Sequence, residues 1–306
     1  MALTAVFMST HEQSANSVAE WRSTPHSETS SQTTRAEDAQ PRLYDIGVLS
    51  DIGNERDNNE DCVGYSYENG NSLVAVVADG VGGYEGGELA SRIAVESTIS
   101  TYREQAIDIS AEKRLYRAAQ QANIEIYDKA IVVTELRNMS STLTGFALEG
   151  SMLHVAHVGD SRLYLIRKGS ITQLTKDHTV VAEKMRLKLL SPEQAKTHPD
   201  HGTLTRSVGR ELIAAVDRIT LPVQTGDILV TCTDGMYNIL HEDEIVDLVR
   251  EGNAEEIAKR LIDTANEKGT YDNLTAVVCR VIGEFPAVEQ GPSWPKRLQA
   301  WLRSQT

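Results

Sequence analysis

The chain has 306 residues, enough for two average domains or one large one. Its 40 % hydrophobic and 24 % charged content is that of an ordinary globular protein, which excludes a collagenous or wholly disordered chain. Apolar runs such as Leu73–Ala78 fall far short of the roughly 20 residues of a membrane helix, and a net charge of −14, from 30 Lys+Arg and 44 Asp+Glu, sets the chain against phosphate backbones, so neither a membrane span nor nucleic-acid binding is expected.

Residues 1–40 contain 13 Ser/Thr and no sustained periodicity. Such a segment buries too little apolar surface to offset its ordering entropy, and is expected to be a disordered tail. Strands rich in Val, Ile, Leu and Thr are predicted at Leu43–Leu49, Ser72–Asp79, Thr142–Leu148, Met152–Val158, Leu163–Arg167, Ile228–Thr233 and Leu274–Ile282. Helical periodicity runs through Glu88–Tyr102, Glu112–Lys129, Glu242–Arg250 and Ala254–Glu267. Several strands around 142–175 follow one another without an intervening helix, which favours antiparallel sheets covered by helices over a parallel doubly wound sheet. A short polar insertion, about 179–204, contains Ser191-Pro192-Glu193, a Ser N-cap followed by Pro at the first helical position. Beyond Phe285, the spacing of Trp294, Leu298, Trp301 and Leu302 suits an amphipathic helix, expected to pack on its own domain. The opening MALTAVFMST lacks the basic stretch and long apolar core of a signal peptide. Cys62, Cys232 and Cys279 are scattered and form no C-x-x-C, so they read as buried thiols rather than a disulfide framework or zinc site. A cytoplasmic location is expected.

The informative pattern is an apolar strand that ends in Asp, often followed by Gly. It occurs as Val76-Val77-Ala78-Asp79-Gly80 and as Val230-Thr231-Cys232-Thr233-Asp234-Gly235. Related acidic steps are His157-Val158-Gly159-Asp160 and Tyr271-Asp272-Asn273. A lone Asp-Gly is most often only a turn. Four carboxylates converging at strand ends would repel one another unless a cation neutralised them, and hard divalent cations take oxygen ligands. The glycine after Asp79 lets the backbone approach closely enough to offer its carbonyl. Gly80-Val81-Gly82-Gly83 also suggests a dinucleotide loop, but G-x-G-x-x-G needs a sixth-place glycine where Glu85 stands. Ser161 lacks the G-x-S-x-G elbow of a nucleophile.

Six segments occur in order: Arg56-Asp57-Asn58-Asn59-Glu60-Asp61, Asp79-Gly80-Val81-Gly82-Gly83, Gly159-Asp160-Ser161-Arg162, Leu204-Thr205-Arg206-Ser207-Val208-Gly209, Thr233-Asp234-Gly235-Met236 and Asp272-Asn273-Leu274-Thr275-Ala276-Val277. The series resembles the metal-dependent protein serine/threonine phosphatases of type 2C in their compact bacterial form, over about residues 43–283. The resemblance implies an α+β fold, a central antiparallel β-sandwich flanked by helices on both sides in a four-layer αββα order. It implies a catalytic domain at 41–284 with a flap insertion at about 179–204, between a tail at 1–40 and a C-terminal tail at 285–306. Implied too are two core Mn²⁺ or Mg²⁺ ions and a weaker third. Asp79 would bridge the core ions, the Gly80 carbonyl would bind one, and Asp234 and Asp272 would hold the first. Glu60 and Asp61 would act through water, Asp160 would serve the third ion, and Arg56 would clamp the substrate phosphate. The implied reaction is hydrolysis of phosphoserine and phosphothreonine in proteins by activated water, in a monomer opposed to a cognate kinase. The alternative is a catalytically weak relative that binds phosphoproteins. In eukaryotic members a His follows the Asp-Gly pair, and here that place is Val81.

Overall fold

The structure, a computed structural model, describes residues 42–68, 72–82 and 86–285. The Ser/Thr-rich tail and the amphipathic segment after Phe285 lie outside the described residues.

In chain order the elements are β1 (Tyr44–Asp51), β2 (Asp61–Glu68), β3 (Ser72–Val81), α1 (Gly86–Glu104), α2 (Ala111–Val132), β4 (Ser140–Ser141), β5 (Leu143–Glu149), β6 (Met152–Val158), β7 (Arg162–Arg167) and β8 (Ser170–Gln173). There follow α3 (Val180–Arg186), α4 (Pro192–Lys196), β9 (Asp217–Pro222), β10 (Ile228–Cys232), α5 (Asp234–Tyr237), α6 (Glu242–Leu248), α7 (Ala254–Glu267) and β11 (Leu274–Val281). The strands form two antiparallel sheets. One runs β1-β11-β10-β7-β8 and the other β2-β3-β5-β6-β9, with β4 paired to β3.

The two-residue period of a strand explains how these sheets are covered. Along β3, Val74, Val76 and Ala78 join the apolar cluster that contains α1 and α2, while Leu73, Ala75 and Val77 join the cluster shared by both sheets. Along β11, Val277, Cys279 and Val281 face that same inner cluster, and Leu274, Ala276 and Val278 pack with Ile257, Leu261 and Ile262 of α7. Both strands are therefore buried on both faces, which is why they read as continuous apolar runs.

The polar insertion carries α3 and α4. Ser191 closes a capping box with Gln194 at the start of α4, and Pro192 occupies the first turn. Cys232 and Cys279 are buried free thiols, whereas Cys62 is only partly buried. The strands β2, β8 and β9 were not among those expected from the sequence. Each is an edge strand or ends at one, and too few of its side chains are buried for an apolar signature: in β2 only Gly64 is fully buried.

Candidate active site

The antiparallel register gathers the acidic strand ends at one end of the sandwich. Asp61, the first residue of β2, is the direct cross-strand partner of Asp79 near the end of β3. In the other sheet Cys232 pairs with both Ala276 and Arg162. Asp234 just after β10, Asp272 just before β11 and Asp160 just before β7 are thereby brought to the same rim. The Asp61 carboxylate accepts a hydrogen bond from the Thr233 hydroxyl at 2.8 Å. Asp234 lies 3.3 Å from the Asn238 amide, and Asp272 accepts from its neighbour's backbone N–H, that of Asn273, at 2.8 Å.

Gly80 is held where no side chain fits. Its N–H donates to the Glu60 carbonyl at 3.1 Å, and a Cβ there would lie 2.0 Å from the Gly87 carbonyl oxygen. Glu60 itself packs against Gly87 at the start of α1, where an added Cβ would lie 2.7 Å from its carboxyl. Thr142 ties two acidic turns together. Its hydroxyl oxygen accepts from the Asp79 N–H at 2.8 Å and bonds the Ser161 hydroxyl at 2.8 Å. Ser161 is buried and so engaged, which removes it as a nucleophile.

Burial and mutual repulsion dominate the electrostatics. Desolvation, opposed by hydrogen bonds from Thr233 and Thr275, raises Asp61 to about 7. Desolvation followed by the charge of Asp272 raises Asp234 to about 6. Asp79 is pushed well above the carboxylate range by desolvation and then by Asp61, Asp234, Asp160 and Asp272. Asp160 is raised likewise, by burial and then by Asp234 and Asp177. Glu60 also rises, chiefly by desolvation. The neighbouring cation Arg56 is engaged: its Nη2 donates to Asp272 Oδ2 at 2.9 Å, with half of its side chain still exposed. Among the described residues no three His, Cys, Asp or Glu side chains close into a finished ligand set. They ring the rim and repel across it. Hard oxygen donors with a surplus of negative charge, beside a backbone that Gly80 keeps free of any side chain, suit a hard divalent cation whose remaining ligands are waters.

Two further groups shape the rim. Asn273 is buried, and its amide donates to the carbonyls of Ile52 and Asn58, each at 2.9 Å. Its Oδ1 accepts from the Glu60 N–H at 2.9 Å. One side chain thus fastens the whole loop that carries Arg56 and Glu60 beside Asp272. The Asp272-Asn273-Leu274-Thr275 motif contains it, but the sequence assigned it no role. The only signal was an amide next to a buried strand. His178 Nδ1 accepts from the Gly159 N–H at 3.1 Å, so its proton lies on Nε2, which faces Asp217 Oδ2 at 3.2 Å. Arg206 donates to the same Asp217 at 3.0 Å. His178 is therefore a brace behind Asp160, with both ring nitrogens committed.

Residues 54–279 match the family model of protein phosphatase 2C. The chain belongs to that family. The phosphatase 2C chain is 34 % identical over 233 residues to the serine/threonine phosphatase stp of Listeria welshimeri, covering 75 % of this chain and 92 % of that one. Among solved structures it resembles the Mycobacterium tuberculosis serine/threonine phosphatase PstP/Ppp, with a TM-score of 0.71 and 30 % identity over 78 % of this chain and 99 % of that one. It also resembles the catalytic domain of PstP in complex with two manganese ions, with a TM-score of 0.69, 30 % identity and the same coverage.

Proposed function

We propose that this chain is a protein serine/threonine phosphatase that hydrolyses phosphoserine and phosphothreonine with two core Mn²⁺ or Mg²⁺ ions. The observation that carries the reading is the convergence of Asp61, Asp79, Asp160, Asp234 and Asp272 from separate strand ends onto one self-repelling rim. Asp79, the Gly80 carbonyl, Asp234 and Asp272 would hold the core ions, with Glu60 and Asp61 acting through water and Asp160 serving a weaker third. Such a pair, when bound, lowers the pKa of water and neutralises the phosphoryl oxygens during in-line displacement.

The chain's own residues bind and orient. Arg56 offers the substrate phosphate the N–H groups not used on Asp272, in a planar fork that suits a phosphate dianion. The Asp272 contact fixes which way that fork faces. Ser161 forms no covalent intermediate, since it is buried and bonded to Thr142. Val81 is exposed at the edge and has no proton to give. The leaving oxygen then takes its proton from water on the Asp160 side, because His178 is committed to Gly159 and Asp217. Opposed to it stands a kinase, the class of reaction that must supply these phosphoproteins. We extend the proposal to a cytoplasmic monomer; among the described residues no helix is long and apolar enough to cross a membrane.

The test is Asp79→Asn. Hydrolysis of p-nitrophenyl phosphate by the wild type is expected to require Mn²⁺ or Mg²⁺ and to vanish with EDTA. The variant is expected to be inactive yet folded, with a metal-free melting temperature no lower than wild type, because it removes one repelling charge. Undiminished turnover by Asp79→Asn sinks the assignment.

A further inference from the structure

A cavity of about 440 Å³ opens at the C-terminal end of α2, and none of the rim residues described above lines it. Tyr127 and Ile131 of α2, together with Arg137, Met139, Gly209 and Arg210, line it. Met139, which lines the cavity, also packs against the catalytic turn: a Cβ on Gly82 would lie 2.9 Å from Met139 Cα, and one on Gly86 would lie 3.2 Å from Met139 Cβ. Gly82 follows Asp79 by three residues, at most about 10 Å of chain. The cavity is thus within roughly three or four residues of an extended peptide from the carboxylate rim. Its far wall is fixed by the paired backbones of Ser141 and Val208, at 3.0 and 2.8 Å, and by the Gly209 N–H donated to Asn123 at 2.8 Å.

Its charge runs against that of the chain. Net charge is −14, and Arg114, Arg162, Arg167 and Arg206 are each held by an Asp or Glu. Arg137 and Arg210 are both exposed, and among the described residues no carboxylate holds either of them. Ile131, which lines the cavity, and its neighbour Val132 are 64 % and 80 % exposed, an apolar fringe beside two unclaimed guanidiniums. A carboxylate-bearing chain would meet bidentate donors at its charged ends and aliphatic surface along its stems.

We propose that this cavity docks an acidic segment of the phosphoprotein substrate, flanking the phosphorylated residue, with Arg137 and Arg210 binding its carboxylates. The proposal rests on the phosphatase reading and names the substrate class that reading leaves open. It makes the enzyme selective for phosphosites in acidic context, although its catalytic rim is itself acidic.

The experiment uses the full chain and three phosphothreonine peptides that differ only in having Glu, Ala or Lys at the flanking positions. Fluorescence anisotropy in EDTA reads binding without turnover. The Glu-flanked peptide is expected to bind about tenfold tighter than the Lys-flanked one, with the gap closing as salt is raised. Arg137→Glu/Arg210→Glu is expected to invert that order, and Arg137→Ala/Arg210→Ala to flatten it. With Mn²⁺ supplied, kcat/KM should follow the same order, while turnover of p-nitrophenyl phosphate, which is too small to reach the cavity, stays unchanged in both variants. A wild type indifferent to the flanks, or a preference that survives charge reversal, overturns the docking proposal. A wild type inactive on p-nitrophenyl phosphate overturns the phosphatase reading instead, and the anisotropy series still decides the pocket.

Discussion

Asn273→Ala is the perturbation that asks most of the structure, because it touches no reacting atom. It removes three hydrogen bonds of 2.9 Å and strands the Glu60 N–H and the carbonyls of Ile52 and Asn58. Ile52 and Asn58 are partly open to solvent, so water relieves part of the loss. At about 1 kcal/mol for each bond, the cost is about 3 kcal/mol. For a domain of this size that corresponds to a melting temperature lower by roughly 6 to 12 °C, well short of unfolding at 25 °C. The functional cost follows from the loop released, which carries Arg56 and Glu60. Misplacing a clamp by about 1 Å costs on the order of a hundredfold in rate, and a loosened Arg56 is expected to appear mainly in KM. The assay is steady-state hydrolysis of p-nitrophenyl phosphate in Mn²⁺, with a double-mutant cycle against Arg56→Ala. If Asn273 acts through that loop, Asn273→Ala adds little to the KM of the Arg56→Ala enzyme. Purely additive effects on KM, or an Asn273→Ala enzyme with wild-type kinetics, would refute the reasoning.

Arg56→Ala is expected to raise KM more than it lowers kcat, and Arg56→Lys to rescue poorly because it lacks the planar fork; unchanged KM with reduced kcat would reassign Arg56 to transition-state binding. His157 is fully buried between the Thr144 hydroxyl and the Lys176 carbonyl, and desolvation, then His178, lowers it to about 4. Between pH 6.5 and 4 the unfolded chain therefore binds a proton there that the native chain refuses, so His157 removes about 3 kcal/mol of stability as pH falls through that window; thermal melts from pH 7 to 4 should show the wild type losing more than His157→Gln. Asp160→Ala is expected to impair a phosphothreonine peptide more than p-nitrophenyl phosphate, since nitrophenolate leaves without a proton and the threonine alkoxide does not; equal losses of kcat at saturating Mn²⁺ would show that Asp160 supports the rim in general.

What could be read from the sequence follows the range of the forces involved. The strands β3, β10 and β11 were legible because burial on both faces demands unbroken apolar runs, and the Asp at the end of such a run marks a fixed, reachable carboxylate. The same reading passed over β2, whose DCVGYSYE is held by pairing with β3 rather than by its own burial. It also could not supply the pairing of the first strand with the last, Tyr44 opposite Val281 through Asp51 opposite Leu274. Nothing local in either segment specifies that partner. The candidate site divides the same way. Asp79, Asp160, Asp234 and Asp272 announce themselves by type and position, whereas Arg56 came only with the family resemblance. Asn273 works through backbone atoms of Ile52, Asn58 and Glu60, more than 200 residues away in the chain, and no spacing rule reaches that far.

Folding and function pull in opposite directions at the rim. Asp61, Asp79, Asp160 and Asp234 all hold their protons to higher pH in the folded chain than in the unfolded one. From about pH 4 up to those folded values the native state binds more protons, so stability from these groups declines as pH rises. A cation bound only by the folded state reverses that decline by mass action, by about 2.7 kcal/mol at a hundred times its dissociation constant. Metal-free, the strands must hold the acidic ends together unaided. The strand bearing Asp79 is packed accordingly: Leu73 through Ala78 are six consecutive residues with no exposed surface. Each Val or Leu side chain there contributes roughly 1.5 to 3 kcal/mol by burial. Deep packing immediately before the carboxylate is what lets the chain present Asp79 already in place, so that a cation meets a formed rim rather than having to assemble one.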